Sequence, residues 1–383
     1  MTQRVRCSGA FPRRARAFTM IELMITMIII TIVISILVPA LGGVRDTARA
    51  GSTRALMNDV VNASAKFELD KRRLPGVFSP QDLGGAQNGN TSNGRGLSAM
   101  ENLIADLAGG VVAAAPAPAP VNTVVMNPTT DPTRDVYVDT KQIGTGKNIY
   151  FVPPPKFYAA QHNEGGAVMQ QFGAAGHTAP EGTDQIPDLV DAWRQPILAW
   201  VKDETAITPV DGVNTFLVRE NSGTTAAPTP AKYYWASNAA FLRATSLGRK
   251  GKDQTFVNAD IAHSLIGGGV PVLDAARRLD AILGNPNYAA FYPPNAAPTH
   301  PGEGRAPLIL HSAGSDGFYF GSKDKGAGRV SPMPLASGAT PYSCHFMLPG
   351  GSWATDRWKD KNGQITIDDV TSDFDDMLAT GSN

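Results

Sequence analysis

The chain is poor in the residues that usually mark a catalytic or cross-linked protein. Only two cysteines, Cys7 and Cys344, occur in 383 residues, which excludes a disulfide framework and a cysteine-built zinc site. The six histidines, His162, His177, His263, His300, His311 and His345, are scattered without paired metal spacing. No serine sits in a G-x-S-x-G elbow. Gly144-Thr145-Gly146-Lys147-Asn148 has Lys141 where a phosphate loop needs its leading glycine and Asn148 where it needs Ser or Thr. It reads as a turn. No enzyme is expected. Charge of one sign is also lacking, with 34 basic against 34 acidic residues. Without a basic stripe, nucleic acid is not an expected partner. After residue 41 there is no second long apolar run, so a polytopic membrane protein is excluded.

What is there is concentrated at the start. Residues 1–17 hold five arginines and no acid, so the balanced total hides a basic leader on a net acidic remainder. From Phe18 to Leu41 the chain is almost continuously apolar. At about 1.5 Å per residue, those roughly 24 residues make a helix able to span a bilayer core of about 30 Å. Arg13, Arg14 and Arg16 hold the leader on the cytoplasmic side, which predicts a single pass with the C-terminal bulk outside the cytoplasm.

Glu22 is the one charge inside that run. A carboxylate at membrane depth costs roughly 2.5–3.5 kcal/mol on insertion scales, so it needs a partner or a route to the interface. An amine on a neighbouring subunit would neutralise it and set the stagger of otherwise featureless helices, much as one polar residue sets register in a coiled coil. The alternative is that Glu22 snorkels to the nearby interface. An ordinary secretory signal also starts basic and turns apolar, and Val38-Pro39-Ala40 could precede its cleavage. Against it stand the length of the run, the position of Glu22 and a helical pattern that continues past Ala40.

Beyond Pro39 and Gly42-Gly43 the pattern turns amphipathic, with Leu56, Val60, Ala63 and Phe67 on one helix face and charged residues between them. The helix is expected to end at Leu74-Pro75-Gly76. Further on, Ser98 caps a helix through Leu97, Met100, Ile104 and Leu107, and a second short helix is expected over Asp274–Leu283. Short β-rich runs are expected at Asp135–Asp139, Asn148–Val152, Ile197–Val201, Thr215–Arg219, Lys232–Ala236, Pro307–Leu310 and Gly317–Phe320. Their turn-rich spacing favours antiparallel pairing. Ala113–Pro120 and Thr224–Ala231 read as extended low-complexity loops.

Phe18-Thr19-Met20-Ile21-Glu22-Leu23, at the end of a basic leader, resembles the processing and methylation motif of type IV prepilins and of type II secretion pseudopilins. The resemblance covers roughly the first 75 residues. It implies that prepilin peptidase cuts between Ala17 and Phe18 and methylates the new amine of Phe18. It also implies that Glu22 pairs with that amine on a neighbour and that Pro39 stands where family members carry a helix-kinking proline. Ala17 departs from the usual glycine before the cut. On this reading Cys7 leaves with the leader, and the mature chain keeps only Cys344.

Two later stretches extend the resemblance. Asp188–Ile197 looks like the turn that opens the sheet of major pseudopilins, with Ala192 and Arg194 in place of Pro and Gly. Leu308–Gly317 looks like the strand and loop that begin their calcium-binding region. By spacing, Asp360, Asn362 and Asp369 around Gly363 also fit part of a calcium loop, with a hairpin turn at Asn362-Gly363 as the competing reading. Asp316 is the other metal candidate, and Ca2+ is the one cofactor these patterns suggest; none is required.

The expected fold is α+β and type IV pilin-like: a long N-terminal helix, transmembrane in its first half, packed on an antiparallel sheet with large loop insertions. The expected divisions are a leader at 1–17, a transmembrane or filament-core helix at 18–41, its amphipathic continuation at 42–74 and an exported head at 75–383. The function the resemblance implies is a filament subunit, most directly a type II secretion pseudopilin. A type IV pilin for adhesion or motility, or a signal-anchored exported enzyme or binding protein, is the alternative. Implied partners are prepilin peptidase, other pilin or pseudopilin subunits and an inner-membrane assembly platform.

Overall fold

The computed structural model describes residues 19–85, 88, 97–112, 123–129, 131–146, 149–159, 188–203, 215–218, 231–242, 264–267, 275, 278–279, 283–285, 289–291, 298–301, 304–327, 330–332, 344–346 and 369–381. By internal contacts the chain divides into Met1–Ala48 and Arg49–Asn383.

Helix α1 runs unbroken from Met20 to Lys71. The Pro39 and Gly42-Gly43 junction lies inside it without interrupting the helix. In its first half the large apolar side chains from Met20 to Val38 are all exposed. The hydroxyls there do not need water, because Thr26, Thr31 and Ser35 donate back to the carbonyls of Leu23, Met27 and Ile32 at 2.9, 2.8 and 2.7 Å. That is how a helix carries small polar residues into hydrocarbon.

From Thr53 onward one face is buried. Leu56, Val60, Ala63 and Phe67, the four positions read from the spacing, are all in the core, joined by Met57. Burying a side chain such as Phe67 stabilises by about 1.5–3 kcal/mol. The helix stops earlier than Pro75-Gly76. Arg72 takes a left-handed conformation (φ 60°) and its N–H reaches the Glu68 carbonyl at 2.8 Å, a C-terminal exit that usually recruits glycine. Arg73 then forks onto Asp106 at 2.6 and 3.2 Å, and the same carboxylate accepts from the Gly76 N–H. The end of α1 is thereby tied to a second helix.

After α2 (Pro80–Leu83), that second helix is α3, Ala99–Leu107. Ser98 caps it as expected, within a reciprocal box in which Glu101 returns to the Ser98 N–H at 2.7 Å. α3 is buried almost all round, and its buried polar residues are satisfied, Glu101 in the cap and Asn102 on the backbone N–H and carbonyl of Phe78. Helix α4 is a single turn, Ala239–Leu242.

The strands are short and every paired one is antiparallel. β1 (Val111–Val112), β2 (Thr123–Met126) and β3 (Val136–Asp139) form one sheet with β3 in the middle. β4 (Tyr158–Ala159) pairs with β5 (Asp188–Leu189), and β6 (Leu198–Val201) follows. β7 (Thr215–Val218) pairs with β8 (Ala231–Tyr234), and β9 (Ala289–Phe291) with β10 (Pro298–Pro301). β11 (Leu308–Ser312) is central between β6 and β14 (Met377–Thr380), while β12 (Val330–Pro332) pairs with β13 (Cys344–Phe346).

Two expected strands are not strands. Residues 149–152 are irregular, with Phe151 turned into the core, and Gly317–Phe320 is turn structure after β11. In the second place the β-like composition reflects burial rather than pairing, since Gly317, Tyr319 and Phe320 are all buried. The helix expected over Asp274–Leu283 and the loops 113–120 and 224–231 fall largely or wholly outside the described residues.

The architecture is α+β, as expected for a pilin-like chain. The buried face of α1, α3 and the sheet β6–β11–β14 share one apolar cluster that includes Phe67, Leu103, Ala199, Leu310 and Met377.

Candidate functional site

Three features around this scaffold carry chemistry. The first is the start of α1. Thr19 is its N-cap and Glu22 the third helical residue. The Glu22 carboxylate accepts from the Thr19 N–H and hydroxyl, both at 2.9 Å, and the Thr19 hydroxyl accepts from the Glu22 N–H at 3.3 Å. This reciprocal pattern satisfies backbone donors that a helix start leaves open. Within one chain, then, Glu22 folds back on the N-cap of its own helix. Ala17 and Phe18 lie outside the described residues, and of Pro39 the helical backbone is described. Among the described residues, α1 is the one helix long and apolar enough to cross a membrane.

The second feature is the turn between β5 and β6. Asp191 is fully buried. One of its carboxylate oxygens accepts from the Trp193 and Gln195 N–H groups at 2.8 and 2.9 Å, and the other from the Ser312 hydroxyl of β11 at 2.8 Å. Arg194, where the resembling turn has glycine, adopts φ 70°. That left-handed position is why glycine suits the motif, and the chain reaches it with arginine. On the other side of the turn the Ala192 N–H donates to Thr53 Oγ1 of α1 at 3.1 Å. Burial raises Asp191 to about 6, opposed by its hydrogen bonds to Gln195, Ser312, Trp193 and Arg194.

The third is the loop after β11. The structure brings Asp316 together with Asp324 and Asp375, with one carboxylate oxygen from each within 4.8 Å of the others. Asp375 accepts from the Ser315 N–H and hydroxyl and from the Asp316 N–H at 2.8, 2.8 and 2.9 Å. A Cβ on Gly321 would stand 2.8 Å from an oxygen of both Asp316 and Asp324, so only glycine leaves those carboxylates their room. Burial, followed by the charges of Asp375, Asp324 and Asp376, pushes Asp316 up to about 7. Three hard oxygen donors of this kind suit Ca2+ rather than a soft metal.

Directly behind the cluster, His311 of β11 meets Asp376 at 2.6 Å, both side chains wholly inaccessible. Asp376 also accepts from the Phe320 N–H, and the rings of Tyr319 and Phe320 stand edge-on to the imidazole.

Of the metal candidates read from spacing, Asp316 is thus in an acidic cluster. Asp369 is elsewhere: it caps the short 3-10 turn Val370–Asp373 and holds the Arg305 guanidinium at 2.8 and 3.0 Å. Asp360 and Asn362 lie outside the described residues. Spacing singles out neither Asp324, which sits between Lys323 and Lys325 in a segment without motif character, nor Asp375.

Residues 12–38 match the family model of the prokaryotic N-terminal methylation motif. The match covers the last part of the basic leader, the Phe18–Leu23 segment with Glu22, and most of the exposed half of α1. No curated protein and no solved structure matches the chain.

Proposed function

We propose, for a chain that carries the N-terminal signature of type IV pilin-like subunits processed by prepilin peptidase, that it is a pseudopilin of a type II secretion system. The observation that carries the filament reading is the coincidence of that motif with a helix whose large apolar side chains from Met20 to Val38 are exposed among the described residues. Such a surface in a single chain calls for lipid or for other helices of the same kind. The subunit waits in the inner membrane with its head outside the cytoplasm and enters a filament through the assembly platform. Divisions at 17, 41 and 74 then correspond to leader, filament core and head-bound helix. The pseudopilin assignment draws support from the Asp188–Ile197 turn and the β11 loop, which resemble the corresponding parts of major pseudopilins.

Cleavage between Ala17 and Phe18 is the first test. Intact mass of the membrane-extracted protein is expected to give a start at Phe18 plus one methyl group. A start at Leu41 would establish ordinary secretion and remove the filament reading. Secretion and motility separate the two filament classes: deleting the gene is expected to stop exoprotein release and to leave surface motility intact, and the reverse pattern would make the chain a motility pilin.

Calcium belongs to this reading at Asp316, Asp324 and Asp375. A ligand at a hundred times its dissociation constant adds about 2.7 kcal/mol of stability. Millimolar Ca2+ is therefore expected to raise the melting temperature over that in chelator by several degrees, and Asp324→Ala to abolish the difference. Equal melting temperatures for the parent protein would leave the cluster a hydrogen-bonded loop.

A further inference from the structure

The head-bound part of α1 begins weakly. Gly51 is helical with open space around its Cβ position, as are Gly42 and Gly43 before it, and a helical glycine costs about 1 kcal/mol relative to alanine. The first fully buried side chain is Thr53, and what meets it is the Asp191 turn, through the Ala192 N–H. That turn is in turn fixed to the central strand by Asp191 and Ser312. A single buried carboxylate therefore organises the polar link between the entry of α1 into the head and β11. We propose that the Asp191 turn is an acid-tightened latch that sets how firmly the first head-bound turns of α1, residues 49–57, are held.

The direction follows from desolvation. A carboxylate with no exposure is harder to keep ionised than one in water, and four donors only partly offset this. Closed latch and bound proton thus favour each other. The ionisable groups on the elements around Asp191 are Asp188 of β5, Tyr319 after β11 and His311 beside Ser312. Tyr319 feels the charges of Asp191, Asp376 and Asp188, and His311 is engaged with Asp376. Arg54 on α1 and Arg194 in the turn are exposed. Protonation need not break the link, because Ser312 Oγ can accept from the new O–H in place of donating to it. Opening the latch, by contrast, exposes Asp191 to water and releases the proton. Lower pH therefore holds the helix more tightly, and the grip is lost as pH rises through the folded-state value.

Hydrogen exchange on the full-length protein in detergent tests this, with rates corrected for intrinsic pH dependence. With a folded value of about 6 against an ordinary value of 3.8, protection of amides 49–57 is expected to fall by roughly twentyfold between pH 4.5 and 7.5. Amides 60–67 should change far less. Asp191→Asn, which keeps the shape and removes the charge, is expected to flatten the profile. Thr53→Val, which keeps the carboxylate and removes the acceptor, is expected to lower protection of 49–57 severalfold at every pH without affecting 60–67. A flat parent profile, an equal slope at 60–67, a slope that survives in Asp191→Asn, or an unchanged Thr53→Val would each overturn the latch.

Discussion

Glu22→Ala is expected to insert and be cleaved as well as the parent, and to lose filament incorporation by about 10- to 100-fold. Removing a charge from an apolar run makes insertion easier, so failed assembly could not be blamed on failed insertion. The peptidase needs a small residue at Ala17 and an accessible bond before Phe18, and neither changes. On the proposed filament reading, what goes is the acceptor for the ammonium on a neighbour's Phe18. Hydrogen bonds to charged groups contribute about 1.5–3 kcal/mol, which converts to the stated range at about 1.4 kcal/mol per tenfold.

The structure adds a competitor, since in one subunit Glu22 is already satisfied by the Thr19 N–H and hydroxyl. Pairing with a neighbour must draw the carboxylate away from that cap, so reach matters as well as charge. Glu22→Asp, one methylene shorter, is therefore expected to be intermediate. The processed fraction in membranes and the amount in sheared or cross-linked filaments separate the steps. Incorporation of Glu22→Ala at the parent level would make Glu22 a capping residue only.

The parts of this protein that were legible in its sequence are those governed by local rules. The apolar run, the amphipathic face Leu56, Val60, Ala63 and Phe67, and the Ser98 cap all depend on spacing along one helix, and each lies where the spacing puts it. The end of α1 was read two to three residues late, because Arg72 takes a left-handed position that sequence assigns to glycine. The candidate cation cluster was half legible. Asp316 follows a recognisable strand and Asp324 lies in the turns just after it, whereas Asp375 reaches them only because β14 returns beside β11 from the far end of the chain. Long-range pairing of that kind leaves no periodic trace. The same holds for Thr53, a small polar residue on α1 whose role is visible only once the Asp191 turn is set against it.

His311 is the clearest case of a residue that sequence reading leaves aside, and replacing it is expected to have the largest effect on stability. Scattered histidines without metal spacing carry no signal, yet His311 is wholly inaccessible and holds Asp376, itself wholly inaccessible, at 2.6 Å. Burial lowers the imidazole to about 3 and raises Asp376 well above its ordinary value. Each group alone resists its charged form, so the pair carries one proton between them and no net charge.

His311→Leu removes one partner and leaves a carboxylate among Tyr319, Phe320 and the β11–β14 register. Breaking a buried pair on one side costs about 3–5 kcal/mol, a large part of the stability of an ordinary domain. The remaining acid can avoid that cost by protonating. Its raised folded-state value means that stability is retained at low pH and lost as pH rises through that value. The variant should accordingly lie closer to the parent at pH 5 than at pH 8. His311→Leu combined with Asp376→Leu removes both polar groups and should recover most of the loss, since apolar replacement of both partners is often neutral or better. The recovery will be incomplete, because the Phe320 N–H loses its acceptor. Denaturant midpoints of the parent, His311→Leu, Asp376→Leu and the double variant at both pH values close the cycle. A single variant as stable as the parent, or a double variant no better than the single one, would mean that the pair does not act as a unit.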